Sequence, residues 1–191
     1  MKDKIKEIIK DSITAKAYLL YDEELIKKIQ ESAKLISMSL NKGKKILIFG
    51  NGGSAADSQH FAAELIGRFQ KERRALAAVS LSTDTSVLTS LSNDYSFDVI
   101  FKRQIEALGN TGDIAFGIST SGTSKNVLEG IKAARKLKIK TIGLSGDKKN
   151  GLNSLADIGI TVPNTKTARI QEAHILIIHI ICELIENSLK K

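Results

Sequence analysis

The sequence predicts a doubly wound α/β domain with a five-stranded parallel sheet, helices at its N-terminus and a long apolar helix at its C-terminus. Three observations support this fold class. Short apolar runs alternate with helical patterns along most of the chain. The runs lack strict apolar–polar alternation, as expected for strands that helices cover on both faces. Polar loops follow two of the runs, where ligands bind in such sheets.

Composition narrows the class of protein. The 191 residues are 42% hydrophobic, which suits one globular domain with an ample core. The formal charge of +8 is spread along the chain without interleaved aromatic residues, so we expect solvated helix faces and no nucleic-acid partner. The N-terminus lacks the apolar core of a signal peptide, and the longest apolar run is too short to span a bilayer. We therefore expect a cytoplasmic protein without a membrane partner.

The N-terminal segment is helical by pattern. Two helices are predicted between about Asp3 and Leu40, broken near Tyr21-Asp22, and Gly43 is a suitable C-cap for the second. One apolar stripe marks this second helix: Leu25, Ile29, Ala33, Ile36 and Leu40. We expect the helical extension, residues 1–41, to pack on the sheet or, as we favour, within an oligomer.

The first strand and helix enclose a glycine-rich turn. Ile46–Phe49 is the predicted strand, Gly50–Ser54 the turn and Ala55–Arg68 the helix. Glycines allow close approach of the backbone to a ligand, and a helix N-terminus attracts anions. His60 and Glu64 share one helix face. His60 and Glu64 could therefore act as a base or bind a metal beside a phosphate site. Without that context, a hydrogen bond on the helix surface is the simpler explanation of the pair.

The middle of the chain contains a second strand and two helices. Leu76–Leu81 is the predicted strand, and Asp84–Leu91 a short helix. Ser92–Asp94 is predicted to be a polar break before another helix, Phe97–Leu108.

The pattern of the first unit then returns. Asp113–Ile118 is a predicted strand, Ser119–Ser124 a loop of hydroxyl side chains and Lys125–Leu137 a helix. The carboxyl ends of parallel strands meet at one edge of a sheet, so this loop and Asn51–Ser54 are expected to line one crevice. A hydroxyl-rich turn and helix cap is the alternative explanation of the second loop.

The C-terminal part supplies the remaining strands, Thr141–Leu144 and Ile158–Val162, with a short helix at Leu152–Ala156. The last helix, Ala168–Leu189, has almost no polar side, which predicts burial all round and therefore a homo-oligomer built around it. Its polar residues need partners within that apolar environment: Gln171, His174 and His179.

Two nucleotide-binding interpretations are weaker. Gly50–Ala55 matches the dinucleotide pattern G-x-G-x-x-A after a strand, but the acidic residue expected at the end of the second strand is missing. Glu72 precedes that strand and Asp84 comes late. Neither loop contains the Gly-Lys-Ser/Thr of a phosphate-loop NTPase.

Five segments form a more specific set: Gly50–Ser54, His60–Glu64, Ser92–Asp94, Gly117–Gly122 and Arg169–His179. Together they resemble the phosphoheptose isomerase family, whose sugar isomerase (SIS) domain is a flavodoxin-like sheet. The resemblance covers nearly the whole chain. It implies that D-sedoheptulose 7-phosphate is converted to D-glycero-D-manno-heptose 7-phosphate, the first step towards activated heptose for bacterial lipopolysaccharide and capsule.

The resemblance also implies a site and an assembly. Members of the family are homotetramers with sites at subunit interfaces. The positions that match the family's zinc ligands are His60, Glu64, Gln171 and His179. Those that match its substrate-binding residues are Asn51, Gly52, Gly53, Glu64, Asn93, Asp94, Ser119, Thr120, Ser121, Ser124 and Gln171.

The chemistry of a ketose–aldose interchange suits these residues. It needs a base at carbon and a group that handles the oxygen protons, roles that we assign to Glu64 and His179. Gln171 lies eight residues before His179, roughly 12 Å along a helix, so one zinc ion would have to lie between them. The competing hypothesis is a non-catalytic SIS module that binds the replication initiator DnaA or senses a sugar phosphate; the presence of Glu64 and His179 favours the enzyme.

Overall fold

The computed structural model describes residues 1–146 and 151–189. The elements in chain order are α1 (Lys2–Tyr21), α2 (Glu23–Asn41), β1 (Ile46–Gly50), α3 (Gly53–Ile66), β2 (Ala78–Ser80), α4 (Thr85–Asp94), a 3₁₀ turn (Phe97–Val99), α5 (Ile100–Leu108), β3 (Ile114–Ser119), α6 (Lys125–Lys136), β4 (Lys140–Ser145), α7 (Gly151–Leu155), β5 (Ile158–Thr161) and α8 (Thr167–Ser188). The predicted five strands and flanking helices are confirmed.

The strands form one parallel sheet with the order β2-β1-β3-β4-β5. The order reverses at β1 and β3, which pair with Phe49 opposite Gly117 and Gly50 opposite Ile118. Ligands of doubly wound sheets bind outside the carboxyl ends of the strands at such a switch point. The glycine-rich and hydroxyl loops follow these two strands, so the topology brings both to the edge where a ligand is expected.

Two apolar clusters cover the two faces of the sheet. In β1, Ile46 and Ile48 belong to the cluster that includes α2, α3 and α8. Leu47 and Phe49 belong to the cluster formed with α5 and α6. All four side chains are fully buried. Burial on both faces explains why the strand sequences lack apolar–polar alternation.

The helix break near Tyr21-Asp22 is confirmed, and its cause is a cap. The Asp22 side chain accepts a hydrogen bond of 3.0 Å from the Leu25 N–H, which satisfies one unpaired donor in the first turn of α2. Gly43 has φ of 71° just beyond the end of α2, as expected for a glycine that terminates a helix.

Three predicted boundaries were wrong. The polar break at Ser92–Asp94 is the last turn of α4, where Ser92 Oγ donates to the Leu88 carbonyl over 2.7 Å. A polar side chain can thus bond back to its own helix without ending it. Strand β2 has only three residues, and α3 begins at Gly53, two residues early, which places Gly53 and Ser54 in its first turn.

Helix α8 is buried on one face only within a single chain. Ile177, Ile181 and Ile185 are fully buried, whereas Ile180 and Leu184 are each 37% exposed. Complete burial of α8 depends on another subunit and stays a prediction. Among the described helices, none combines the length and apolarity needed to cross a membrane.

Candidate active site

The glycine-rich loop opens onto the crevice. Gly52 has φ of 55°, a conformation that L side chains rarely adopt, and a Cβ placed on it would meet no atom within 4 Å. A Cβ on Gly53 would instead clash with the amide nitrogen of Gln171. The structure therefore brings Gln171, at the start of α8, against the first turn of α3 and leaves room beside Gly52.

The hydroxyl loop gathers three serines at the N-terminus of α6. Ser119 Oγ lies 3.0 Å from Ser124 Oγ and 3.5 Å from Ser121 Oγ. The Gly122 N–H donates to Ser119 Oγ over 3.2 Å. These hydroxyls lie at the N-terminus of a 12-residue helix, whose dipole favours an anion. Thr120, half-buried, belongs to the same loop.

Asn51 and Asn126 join the two loops. Their side-chain amides exchange two hydrogen bonds, each of 2.8 Å. Asn126 was missed by the sequence interpretation. Its polar side chain in the first turn of α6, directly after the serine loop, is the signal that points to it.

A histidine pair connects α3 with α8. The Nε2 atoms of His60 and His179 lie 2.9 Å apart, and His60 Nε2 is 3.3 Å from Glu64 Oε1. The ring of Phe69 lies 5.4 Å from that of His179. Three of the four residues that the family resemblance marks for zinc are therefore together, and Phe69 closes one side of the pair.

Asp57 lies on the same face of α3 as His60 and Glu64, and the sequence interpretation missed it. It precedes His60 by three residues and Glu64 by seven, which is helical spacing on one face. Its buried Oδ2 has no hydrogen-bond partner among the described residues. Burial raises the pKa of Asp57 to about 6, and the charge interaction with His60 partly offsets this rise.

A buried ion pair fixes the end of α3. Glu186 of α8 accepts backbone N–H bonds from Phe69, Gln70 and Lys71 at 2.8, 2.9 and 3.0 Å. Arg73 contacts Glu186 through Nε at 3.2 Å and donates to the Glu64 carbonyl at 2.7 Å. Although burial would raise the pKa of Glu186, these donors hold it below the usual value. The pair positions the turn of α3 that carries Glu64 and the segment that carries Phe69.

His174 is fully buried on α8 and lies apart from the histidine pair. Burial lowers its pKa to about 4, an effect that the nearby Ser145 backbone partly offsets. The ring is therefore neutral in the folded protein at neutral pH, and it belongs to the core.

Asn93 and Asp94 are exposed at the end of α4. The Asn93 amide donates to Asp94 Oδ1 over 2.9 Å. Within the described chain, no hydrogen bond or ion pair joins these two side chains to the loops or to the histidine pair. Their assignment to the substrate stays a prediction.

The donors around His60 are of the types that catalytic zinc sites use. Two ligand atoms on one tetrahedral zinc lie roughly 3.3 Å apart, close to the 2.9 and 3.3 Å found here. As they stand, these are hydrogen-bonding contacts: in residues 1–146 and 151–189, no group of three or more His, Cys, Asp or Glu side chains is arranged to hold a metal. The donor types fit zinc, but the side chains as described are not arranged around a metal position.

Comparison with known proteins agrees with this geometry. The family model of the SIS domain matches residues 13–146. A phosphoheptose isomerase of Geobacter sulfurreducens is 54% identical over 168 residues, 88% of this chain and 89% of that protein. That of Aquifex aeolicus is 49% identical over 97% of this chain and 96% of its own length.

A solved structure extends the agreement to three dimensions. Phosphoheptose isomerase from Neisseria gonorrhoeae superposes with a TM-score of 0.91 at 43% identity, covering 97% of this chain and 98% of that one. The matches span both loops and both helices of the histidine pair. The chain belongs to the phosphoheptose isomerase family of SIS-domain proteins.

Proposed function

We infer that the protein interconverts D-sedoheptulose 7-phosphate and D-glycero-D-manno-heptose 7-phosphate, the step that supplies heptose for activation towards bacterial surface polysaccharide. The observation that carries this conclusion is the cluster of Glu64, His60 and His179 beside two ligand loops at the switch point of the sheet. Membership of the family supports the same reaction.

The reaction moves one proton between neighbouring carbons. We assign to the Glu64 carboxylate the removal of a proton from C1 of the open-chain ketose and the return of one to C2. His179 donates a proton to O2 as the enediol forms, and the deprotonated His179 ring takes the O1 proton as the aldehyde forms. Two positioned acid–base groups are the usual requirement for such a transfer. The contact of 2.9 Å with His60 supports the assignment because it orients the His179 ring.

The loops would hold the rest of the substrate. We assign the 7-phosphate to Ser119, Thr120, Ser121 and Ser124 at the N-terminus of α6, where hydroxyls and N–H groups converge. The sugar hydroxyls are assigned to the remaining polar positions: Asn51, Gly52, Gly53, Asn93, Asp94 and Gln171. Gly52 supports this because the space beside it is open.

We propose zinc as the metal, held by His60, Glu64, Gln171 and His179. The donor types and the spacings around His60 support three of the four ligands. Bound there, zinc would supply positive charge beside the carbonyl and enediol oxygens. Gln171 is the fourth candidate because its amide lies at the start of α3, next to Gly53.

We also propose the homotetramer of the family, with residues 1–41 in its interfaces. Helix α1 supports this because Ile5, Ile9 and Ile13, at intervals of one turn, are 53%, 53% and 62% exposed. On α8, Ile180 and Leu184 add exposed apolar surface. Light scattering of the purified protein would test the subunit number. The cytoplasmic location stays a prediction.

Turnover tests the function directly. The purified protein is incubated with sedoheptulose 7-phosphate, with and without zinc, and aldose phosphate is followed by NMR. We expect product from the wild type, none from Glu64→Gln, and normal turnover from Glu183→Gln, an exposed site on α8 with the same chemical change. A folded wild-type protein that makes no product under either condition would contradict the proposal and favour a sugar-phosphate sensor or a binding module.

A further inference from the structure

We propose that Asn126 is a positioning residue for this reaction, and that Asn51 acts by pairing with Asn126 to fix the spacing of the two ligand loops. This inference rests on the proposed isomerase function. It adds a structural tie between the loops to the contact with a sugar hydroxyl that the second N–H of Asn51 can still make.

The tie consists of two side-chain amides that hydrogen-bond to each other in both directions. Asn51 Nδ2 donates to Asn126 Oδ1, and Asn126 Nδ2 donates to Asn51 Oδ1, both over 2.8 Å. Asn126 is only 2% exposed, and its Oδ1 also accepts the Val127 N–H over 2.9 Å. Hydrogen bonds protected from water are electrostatically stronger than exposed ones, so the pair resists separation.

The pair restricts what Asn51 can do for a substrate. An asparagine amide offers two N–H donors and one oxygen acceptor. One donor and the oxygen of Asn51 are already engaged with Asn126, which fixes the plane and orientation of the amide. The Asn51 carbonyl also accepts the Ser54 N–H over 2.9 Å, so the residue shapes the turn itself.

The position of the pair connects two parts of the proposed site. Asn51 directly follows β1 and precedes α3, which carries Glu64. Asn126 lies in the first turn of α6, directly after the serines assigned to the phosphate. The pair therefore fixes the distance between the phosphate and the carbon atoms that react. A displacement of about 1 Å between reacting groups can cost on the order of a hundredfold in rate.

Three variants test the pair as a unit: Asn51→Ala, Asn126→Ala and the double variant. We expect kcat to fall about 10- to 100-fold in each single variant. The two losses should agree within about threefold, and the double variant should lose no more than either single one. KM should change much less than kcat, since the serine loop remains. Gln104→Ala, which removes another buried amide with two carbonyl partners, should keep wild-type kcat.

Other outcomes would overturn the proposal. Near-normal kcat in Asn126→Ala with a large loss in Asn51→Ala would show that Asn51 acts on the substrate directly. If the fold-loss of kcat in the double variant equals the product of the fold-losses in the two single variants, the residues act independently. If Asn126→Ala does not fold, Asn126→Asp keeps the acceptor for Asn51 Nδ2 and replaces the donor to Asn51 Oδ1 by a carboxylate oxygen. Wild-type kcat in that variant would equally contradict the tie.

Hydrogen exchange separates this inference from the isomerase function. If the wild type makes no aldose phosphate, the proposed function has failed, but the tie is still measurable in the folded protein. Amide exchange at Gly52–Ser54 should be faster in Asn126→Ala than in the wild type or Gln104→Ala. Unchanged exchange at these amides would refute the tie whatever the catalytic result.

Discussion

The Nε2 atoms of His60 and His179 lie 2.9 Å apart although 119 positions separate them in the chain. Only one of two facing imidazole nitrogens can donate to the other, so the contact holds a single proton between the rings. His60 Nε2 also faces Glu64 Oε1 at 3.3 Å. The pair therefore brings two imidazoles and a carboxylate, to which we assign proton transfer and zinc binding, to one point between α3 and α8.

The first prediction concerns zinc. His60→Gln should lower zinc content at least tenfold relative to the wild type, because imidazole is a much better zinc ligand than an amide. Mass spectrometry of the dialysed protein measures the metal-to-subunit ratio. Cys182→Ala is the control, since the thiol is buried and burial raises its pKa to about 12. Full zinc in His60→Gln, or its loss in Cys182→Ala, would exclude the proposed ligand set.

The second prediction concerns the ion pair of Arg73 and Glu186. Glu186→Gln should destabilise the protein by about 2 to 4 kcal/mol, because three backbone donors and a guanidinium lose a charged acceptor. The exposed Glu183→Gln should change stability by less than about 0.5 kcal/mol. Urea unfolding compares the variants.

The Glu186 carboxylate also predicts how the stability of the protein depends on pH. Its pKa is lower in the folded protein than its usual 4.5. The stability that Glu186 contributes is therefore complete above pH 4.5 and is lost as the pH falls through the folded pKa. Glu186→Gln should show a flatter fall in stability below pH 4.5 than the wild type. If the stability of Glu186→Gln falls as steeply with acid as that of the wild type, Glu186 has no part in acid unfolding.

The third prediction concerns His174. Its folded pKa of about 4 lies below the usual 6.5, so the unfolded chain binds the proton more readily. The contribution of His174 alone should be complete above pH 6.5 and fall by about 3 kcal/mol as the pH approaches 4, whereas the raised pKa of Asp57 gives the opposite dependence in this range. In urea unfolding between pH 4.5 and 7.5, His174→Leu should lack this contribution and therefore lose less stability than the wild type as the pH falls. An unchanged slope in His174→Leu would assign the titration to another group.

The fourth prediction concerns Gly53. A methyl group there would meet the Gln171 amide, a flexible side-chain end, so Gly53→Ala should fold and displace Gln171. We expect kcat/KM to fall about tenfold. Adding Gln171→Ala should cause little further loss, because both changes remove the same contact. Wild-type kcat/KM in Gly53→Ala would show that the position of Gln171 does not matter for turnover.

The sequence interpretation succeeded where local patterns determine structure. The apolar run Ile46–Phe49 with its glycine turn, and the serine loop after Asp113–Ile118, predicted the two strands that flank the switch point. The break near Tyr21-Asp22 and the stripe on α2 predicted the N-terminal helices. Parallel strand geometry then brought both loops to one edge of the sheet without any knowledge of contacts.

The interpretation failed where partners are distant in the chain. Asn51 and Asn126 are 75 residues apart, and Arg73 and Glu186 are 113 apart. No local periodicity predicts such pairs, because they depend on how α6 and α8 pack against the sheet. The polar residues Ser92–Asp94 were misjudged for the opposite reason. Their side chains suggested a break, but local hydrogen bonds keep the helix intact.

The most direct test of the account is turnover of sedoheptulose 7-phosphate in D₂O, with the hydrogen at C2 of the product followed by NMR. Proton transfer through an enediol with Glu64 as base predicts deuterium at C2 of the aldose phosphate in those turnovers in which the Glu64 carboxyl exchanges its proton with solvent before returning it. Glu64→Gln should show neither turnover nor exchange at C1, while Glu183→Gln should match the wild type. Wild-type turnover, or wild-type deuterium exchange, in Glu64→Gln would contradict the central claim.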